Sequence, residues 1–169
     1  MKEQLTQTKE NTMSEINLND LKKKINYKWK IQTVSKVKPK AQCVAYIDAR
    51  DVMDLLDTVC GAENWKDEYQ YTNNQWLCGL SIRTKNGEWV TKWDTGTSGD
   101  IEAEKSAISD AFKRAAVKWG VGRFLYDLGF EWVDTNIPGK GAYPVYPHNK
   151  ERIWDLTEFI NSKSRHKDK

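Results

Sequence analysis

Two adjacent cations, Lys113 and Arg114, lie within a segment whose apolar residues recur at helical spacing. A helix that packs on a sheet through its apolar side would hold both charges at a fixed pitch on its polar side. A groove that follows the phosphates of a single-stranded nucleic acid requires such regularly spaced charge. An ordinary solvated helix surface has the same pattern, and from the spacing alone it is the slightly better explanation.

Arg50 is a third cation whose position is informative. It stands in the first turn of another predicted helix, where a positive charge opposes the helix dipole. This placement favours contact with an anionic ligand. Neutralisation by the neighbouring Asp51 or Asp54 is the alternative.

Four carboxylates precede or begin the helix that carries the cation pair: Asp94, Asp100, Glu102 and Glu104. They could bind two metal ions in a nuclease, but acidic residues at a helix start more often complement the helix dipole. A metal-dependent nuclease is therefore the less favoured alternative. The sequence contains no nucleophile elbow, and its Gly139-Lys140 pair lacks the Ser or Thr of a nucleotide-binding loop. We predict no catalytic site, no cofactor and no metal.

Three cysteines and two histidines are spaced too widely for a zinc site: Cys43, Cys60, Cys78, His148 and His166. An odd number of separate cysteines indicates free thiols in a reducing compartment. The sequence shows neither a signal peptide nor an apolar run of transmembrane length. We therefore expect a soluble, cytoplasmic protein with no membrane partner.

Charge is distributed unevenly along the chain, although the net charge is only +3. Between Leu21 and Lys40 there are eight lysines and no acidic residue. Such basic strips suit a phosphate backbone, and lysines that merely solvate a surface explain them about equally well. Eight tryptophans and seven tyrosines exceed the needs of packing, which leaves rings for an interface or a ligand surface. A non-catalytic protein-interaction or regulatory module is thus a further alternative.

Periodicity and turn signals predict a single α+β domain. A flexible arm at residues 1–17 precedes the domain at 18–160, and a basic tail follows at 161–169. The predicted elements of the first half are a helix at Leu18–Ile25, a strand at Tyr27–Val37 and a helix between an Asp48 N-cap and Gly61.

An antiparallel meander and a long helix are predicted next. The strands are Trp65–Tyr71, Gln75–Thr84 and Glu88–Asp94, and the helix is Ile101–Trp119. Asn86-Gly87 predicts a type I′ turn between the last two strands, because both residues tolerate a positive φ. The remaining predictions are a small-residue loop at Thr95–Gly99, a helical turn at Arg123–Leu128, an irregular loop at Pro138–Pro147 and a final helix that uses Ile153, Leu156, Phe159 and Ile160.

The order of several motifs resembles a known family. The motifs are YKWKIQTV (27–34), AYIDARDVMDLLDTVCGAENW (45–65), KNGEW (85–89) and EKSAISDAFKRAAVKWGVGRFLYDL (104–128). Over residues 27–133 the sequence is similar to the annealing domain of the Rad-fifty-two/Rad-twenty-two family, and most of all to its phage Sak-type members.

The resemblance implies a β-β-β-α core, in which the meander packs on the long helix, and protomers that assemble into a ring of about ten or eleven copies. Single-stranded DNA would lie in a basic groove around the ring, with its bases outward for pairing. The implied function is ATP-independent annealing of complementary strands in homologous recombination and DNA repair, by a protein that a phage or mobile element encodes and that acts in the host cytoplasm. A single-strand DNA-binding protein is an expected further partner.

The resemblance also implies roles for individual cations. Arg50 matches the groove arginine of the family, and Lys113 and Arg114 match the Lys-Arg pair that clamps the DNA backbone. Lys85 resembles a lysine of a secondary DNA site. Val117 stands where the family often has a further arginine, with a lysine beside it. The predicted DNA-binding residues are Arg50, Lys85, Lys105, Lys113, Arg114 and Lys118.

Overall fold

The computed structural model describes residues 16–96 and 101–167, and for 101–103 and 166–167 it describes the backbone alone. Most of the predicted arm and of the predicted loop at 95–99 therefore lies outside the described residues. Within these residues the chain forms two antiparallel three-stranded sheets and three α-helices. This arrangement confirms the α+β class.

Strands and α-helices are numbered in chain order. The strands are β1 (Lys28–Val34), β2 (Lys40–Tyr46), β3 (Trp65–Thr72), β4 (Gln75–Arg83), β5 (Trp89–Gly96) and β6 (Phe130–Asp134). The α-helices are α1 (Ala49–Cys60), α2 (Ile101–Lys118) and α3 (Leu156–Lys167). Short 3-10 helices cover Leu18–Lys22 and Arg123–Asp127.

Strands β3, β4 and β5 form the meander sheet, which packs one face against α2. On this face Leu80 and Ile82 of β4 lie in one core cluster with Ala111 and Ala115 of α2. All four side chains are fully buried. The indole of Trp119, just beyond α2, donates a hydrogen bond to the Leu80 carbonyl oxygen at 3.0 Å. The β-β-β-α core that the family resemblance implies is confirmed.

Strands β1, β2 and β6 form the N-terminal sheet, with β2 in the middle. Val44 of β2 lies opposite Lys30 on one side and Phe130 on the other. One face of this sheet packs on α3, where Trp29, Cys43 and Ile160 belong to one buried cluster. The indole of Trp29 also donates to the side-chain oxygen of Asn161 at 3.1 Å.

The sequence pattern predicts neither β2 nor β6, and it extends the first strand too far. β1 ends at Val34, because the chain turns back so that the Ser35 N–H donates to the Lys40 carbonyl oxygen at 2.9 Å. β6 spans only five residues, too few for an alternating pattern to be distinctive. β6 is held by pairing with β2, a distant part of the chain, whereas β2 pairs also with its neighbour β1.

The predicted type I′ turn at Asn86-Gly87 is wrong. Only Gly87 has a positive φ there, of 79°, and its N–H donates to the Thr84 carbonyl oxygen at 2.9 Å. This is a longer hairpin loop with glycine in the left-handed position. A two-residue turn with positive φ at both positions joins β3 to β4 instead, at Asn73 (49°) and Asn74 (58°).

The N-cap of α1 is confirmed as a reciprocal capping box. Asp48 Oδ1 accepts the backbone N–H groups of Arg50 at 3.0 Å and of Asp51 at 3.1 Å. In return, Asp51 Oδ2 accepts the Asp48 N–H at 2.8 Å. Gly61 follows the helix with a φ of 88°, as the C-terminal signal predicted.

Both ends of the described chain differ from the sequence pattern in detail. The helix predicted at Leu18–Ile25 is a shorter 3-10 helix. α3 begins after Ile153, which is buried, and its backbone continues through residues 161–167, where we expected a tail. The segment predicted as an irregular loop is partly paired, through bridges of Thr135 with Pro144 and of Val145 with Arg152.

All three cysteines are buried and unpaired. Burial raises the pKa of the Cys43 and Cys60 thiols to about 11 and that of the Cys78 thiol to about 12. The thiols therefore stay protonated at neutral pH and act as small apolar side chains in the core.

Gly96, at the end of β5, touches the backbone of α2. A Cβ at this position would overlap the carbonyl oxygen of Ala107, in the middle of a helix turn that is itself packed on the sheet. Gly79 in β4 is also crowded, but by the ring of Trp93, whose atoms begin 2.7 Å from the position of a Cβ. A half-buried side chain can shift, whereas a helix backbone fixed by its hydrogen bonds cannot.

We predict that Gly96→Ala lowers the free energy of unfolding by about 3 kcal/mol or more and that the matched variant Gly79→Ala lowers it by about 1 kcal/mol. Urea-induced unfolding followed by far-UV circular dichroism measures both values. If Gly96→Ala loses no more free energy of unfolding than Gly79→Ala, the result would contradict a rigid contact between α2 and β5.

Candidate nucleic-acid interface

A cavity of about 430 Å³ separates the C-terminal half of α2 from the N-terminal sheet. Val44 and Tyr46 of β2 line it and alternate with Cys43, which belongs to the cluster against α3, so they point to the opposite face of the sheet. The sheet contributes Gln32, Val44 and Tyr46, α2 contributes Asp110, Lys113, Arg114 and Val117, and the segment after α2 contributes Val121, Leu125, Tyr126 and Phe130. Most of the wall is apolar, and the charged groups come mainly from α2.

The position of Lys113 and Arg114 follows from the way α2 is packed. The helix buries Ala107, Ala111 and Ala115 on the meander sheet, which directs its other side toward the cavity. Lys113 is half-buried and Arg114 is exposed, and both line the cavity. The predicted cation pair is thus brought to a wall that the sheet holds in place.

Asp94 of β5 binds two of the predicted cations. Its carboxylate lies 3.4 Å from Arg114 Nε and 3.8 Å from Lys118 Nζ, and its side chain is only 21% exposed. The Lys118 ammonium also donates to the carbonyl oxygen of Trp93. Asp94 therefore neutralises part of the charge of α2 and would compete with a phosphate for Arg114 and Lys118.

Two cations that were not among the predicted residues cap the C-terminus of α2. The Arg123 guanidinium donates to the carbonyl oxygens of Val117 and Lys118, both at 2.8 Å. Lys92 donates to the same Lys118 oxygen at 3.2 Å and lies 4.5 Å from the centre of the Trp119 ring. Cations at this end are favoured by the helix dipole, and they add positive charge beside Lys118.

Arg50 is exposed at the start of α1 and is not among the residues that line the cavity. In the described part of the chain it forms no ion pair with Asp51 or Asp54, and the Asp51 carboxylate is engaged in the capping box. The nearby Asp48 instead binds Lys28 Nζ at 3.3 Å. The N–H of Asp51, and then Lys28, lower the pKa of the Asp48 carboxyl, and the hydrogen bond to Asp48 raises the pKa of Lys28.

Lys85 and Lys105 also lie outside the cavity wall. Lys85 is in the loop between β4 and β5, which follows the last residue pair of that hairpin, Arg83 opposite Trp89. Lys105 is exposed on α2, eight residues before Lys113 and so about 12 Å from it along the helix axis. Of the six predicted cations, α2 therefore brings Lys113, Arg114 and Lys118 together. The DNA contacts of all six stay predictions.

Three aromatic residues of the cavity were not found from the sequence: Tyr46, Tyr126 and Phe130. Tyr126 is 76% exposed and Phe130 is 58% exposed. The alternation of buried Ala41 and Cys43 along β2 is a signal that could have located Tyr46 at the end of a strand. Tyr126 and Phe130 lie in short elements that carry no comparable pattern.

The acidic residues considered for a nuclease are not assembled in the described part of the chain. Among the described residues no three His, Cys, Asp or Glu side chains are grouped so that they could hold a metal ion. Asp94 is committed to Arg114 and Lys118, while Asp100 and the side chain of Glu102 lie outside the described residues. In the same part of the chain, no helix has both the length and the apolar character needed to cross a membrane.

Comparison with known proteins identifies related sequences. The model of the Rad52/22 family double-strand break repair proteins matches residues 17–141. A protein of Deinococcus deserti named single-stranded DNA-binding protein DdrA is 39% identical over 114 residues, which are 64% of this chain and 54% of the relative. The protein of the same name from Deinococcus radiodurans is 36% identical over 119 residues, 67% of this chain and 54% of the relative. The chain thus spans about half the length of the curated relatives it matches.

We predict that Arg123→Ala frays the last turn of α2, because the Val117 carbonyl oxygen loses its charged donor and the Lys118 oxygen keeps only Lys92. The expected cost is about 1 kcal/mol, and Arg123→Lys should retain part of the effect through its charge. Hydrogen exchange of the backbone amides at 117–121 measures the change. Unchanged exchange at these amides in Arg123→Ala would contradict a capping role.

Proposed function

The chain belongs to the Rad52/22 family of double-strand break repair proteins, and on that premise we propose that it binds single-stranded DNA and anneals complementary strands without ATP. The observation that carries the proposal is the placement of Lys113 and Arg114 on the side of a sheet-backed helix that faces a cavity. A rigid helix presents its cations at a constant spacing, which is the requirement for tracking a phosphate backbone.

Two relatives support the DNA-binding part of the proposal, since both are named single-stranded DNA-binding proteins. The alignments reach 114 and 119 residues, and the family match covers β1 to β6 together with α2. The cations on α2 therefore lie within the residues that the family model matches. Both relatives come from Deinococcus, and the phage or mobile-element origin that the Sak-type likeness implies stays a prediction.

In the proposed mechanism, Lys113 contacts a phosphate directly and Arg114 exchanges its carboxylate partner Asp94 for a second phosphate. Lys118, 3.8 Å from the same carboxylate, is the next contact along the helix. Neutralised phosphates repel a second strand less, so the complementary strand can approach. The pairing energy comes from the DNA itself, at roughly 1.4 kcal/mol per stacked step, and no nucleotide is hydrolysed.

The remaining predicted cations have wider roles in this proposal. Arg50 and Lys105 extend the basic path beyond the cavity, and Lys85 contacts a second strand. Assembly of protomers into a ring joins these paths into one groove. A single-strand DNA-binding protein delivers the strand to which it is bound. The proposed activity is positional, so the protein needs no catalytic residue, metal or cofactor of its own.

We predict that wild-type protein accelerates annealing of two complementary labelled oligonucleotides without ATP or metal, and that Lys113→Ala/Arg114→Ala abolishes the acceleration. Loss of two phosphate contacts should weaken single-strand binding by about tenfold or more and reduce the salt slope of log affinity by about 1.4. Fluorescence anisotropy at several salt concentrations measures the binding. The matched control is Lys163→Ala/Arg165→Ala, which removes the same charge from α3, against the opposite face of the N-terminal sheet.

Each alternative result has a defined meaning. Equal acceleration by both double variants would keep the function and move the site away from α2. An affinity independent of salt would exclude the groove. No acceleration by wild-type protein that is folded and oligomeric would overturn annealing in favour of the interaction module, and magnesium-dependent loss of the labelled oligonucleotide would indicate a nuclease.

A second prediction concerns the carboxylate that competes with phosphate. Asp94→Asn removes the negative charge beside Arg114 and Lys118 but keeps a side-chain oxygen for the Thr95 N–H, which Asp94 Oδ1 accepts at 2.7 Å. We expect single-strand affinity to rise about threefold to tenfold, with a steeper salt dependence, because two cations become available to phosphates. Unchanged or weaker binding of the folded variant would contradict the proposed exchange.

A further inference from the structure

We propose that the cavity between α2 and the N-terminal sheet receives one nucleobase of the bound strand, while the adjoining phosphates lie on Lys113 and Arg114 at its rim. The inference rests on the proposed binding of single-stranded DNA and adds a contact to the bases. Ligand pockets for small organic groups measure about 300–1,000 Å³. The volume of about 430 Å³ therefore accommodates a base with its sugar.

The aromatic rings at the cavity are placed for stacking. Tyr126 and Phe130 line the cavity and are 76% and 58% exposed, so each ring leaves most of its surface in water. Burying such surface against a base is favourable, and every base offers a flat π-face. Val117 closes the apolar wall from α2.

Polar groups of two kinds line the cavity. Gln32 and Asp110 supply an amide and a carboxylate, which can accept hydrogen bonds from the edge of a base. Asp110 would repel a phosphate, whereas Lys113 and Arg114 would attract one. The cavity lining thus offers groups for the edge of a base beside groups for a phosphate.

Gln32 reaches the cavity because β1 is irregular at that residue. The pairing of β1 with β2 runs from Ile31 opposite Cys43 directly to Thr33 opposite Gln42, so Gln32 is the extra residue of a bulge. A bulge redirects a side chain and is frequent beside binding sites. The bulge provides an observation independent of the aromatic rings.

The aromatic face with Tyr126 and Phe130 could instead contact a second copy of the chain. An experiment distinguishes a bound base from a second protomer. It compares a thymine-only strand with an abasic strand of the same length and phosphate number, by fluorescence anisotropy at several salt concentrations. Wild-type protein should bind the strand with bases about 5- to 100-fold more tightly, with equal salt slopes for both strands. Native mass spectrometry records the oligomeric state in parallel.

Two variants locate the contact. Tyr126→Ala/Phe130→Ala should remove the preference for bases while keeping the affinity and salt slope for the abasic strand, and Gln32→Ala should reduce the preference in part. Both aromatic side chains are exposed, so their loss leaves the core intact. Trp154→Ala is the matched control: its ring is 81% exposed but lies outside the cavity, so the preference should persist.

Three results would overturn the inference. Equal wild-type binding of both strands would reject the base contact and leave the proposed function standing. A smaller oligomer in Tyr126→Ala/Phe130→Ala, with equal weakening for both strands, would show that the aromatic face joins protomers. Failure of wild-type protein to bind either strand would reject the proposed function, and the base contact with it.

Discussion

The close packing of α2 on the meander sheet is the constraint on which the rest of the structure depends. Small residues make it possible: Gly96 of β5 leaves no room for a side chain against Ala107, and Ala111 and Ala115 bring the helix near β4. Because this contact fixes the rotation of α2 about its own axis, it also fixes the direction of the opposite side. Lys113 then lies on the wall of the cavity between α2 and the N-terminal sheet.

Electrostatics around α2 are balanced rather than simply positive. Arg123 and Lys92 stabilise the C-terminal carbonyl groups, and Asp94 holds Arg114 and Lys118 within 3.8 Å. The two cations are exposed and Asp94 is partly buried, so these ion pairs are modest in strength and a phosphate can replace Asp94 as the partner of Arg114. The arrangement keeps the cations ordered before DNA arrives, which lowers the entropy lost on binding.

The two proposals together describe a strand held in two ways. Phosphate contacts through α2 are independent of base identity and weaken with salt, whereas a base in the cavity adds a contact that salt screens little. A base held in the cavity cannot pair until it leaves. Annealing would then proceed by exchange, in which the complementary strand competes with Tyr126 and Phe130 for that base, and the rings of the cavity would set how readily the strand is released.

Local pattern and motif order by themselves determined much of this protein: α1 with its Asp48 cap, the meander, α2 with its cation pair, and membership of the family. Each depends on residues close together in the chain, where hydrophobic period and capping chemistry are readable. Only the tertiary structure decided the cavity, because β2 pairs with β6 across about ninety residues and the bulge at Gln32 is a property of that sheet. The ion pair of Asp94 with Arg114 likewise joins a strand to a helix twenty residues later, a contact that packing creates and no local period records.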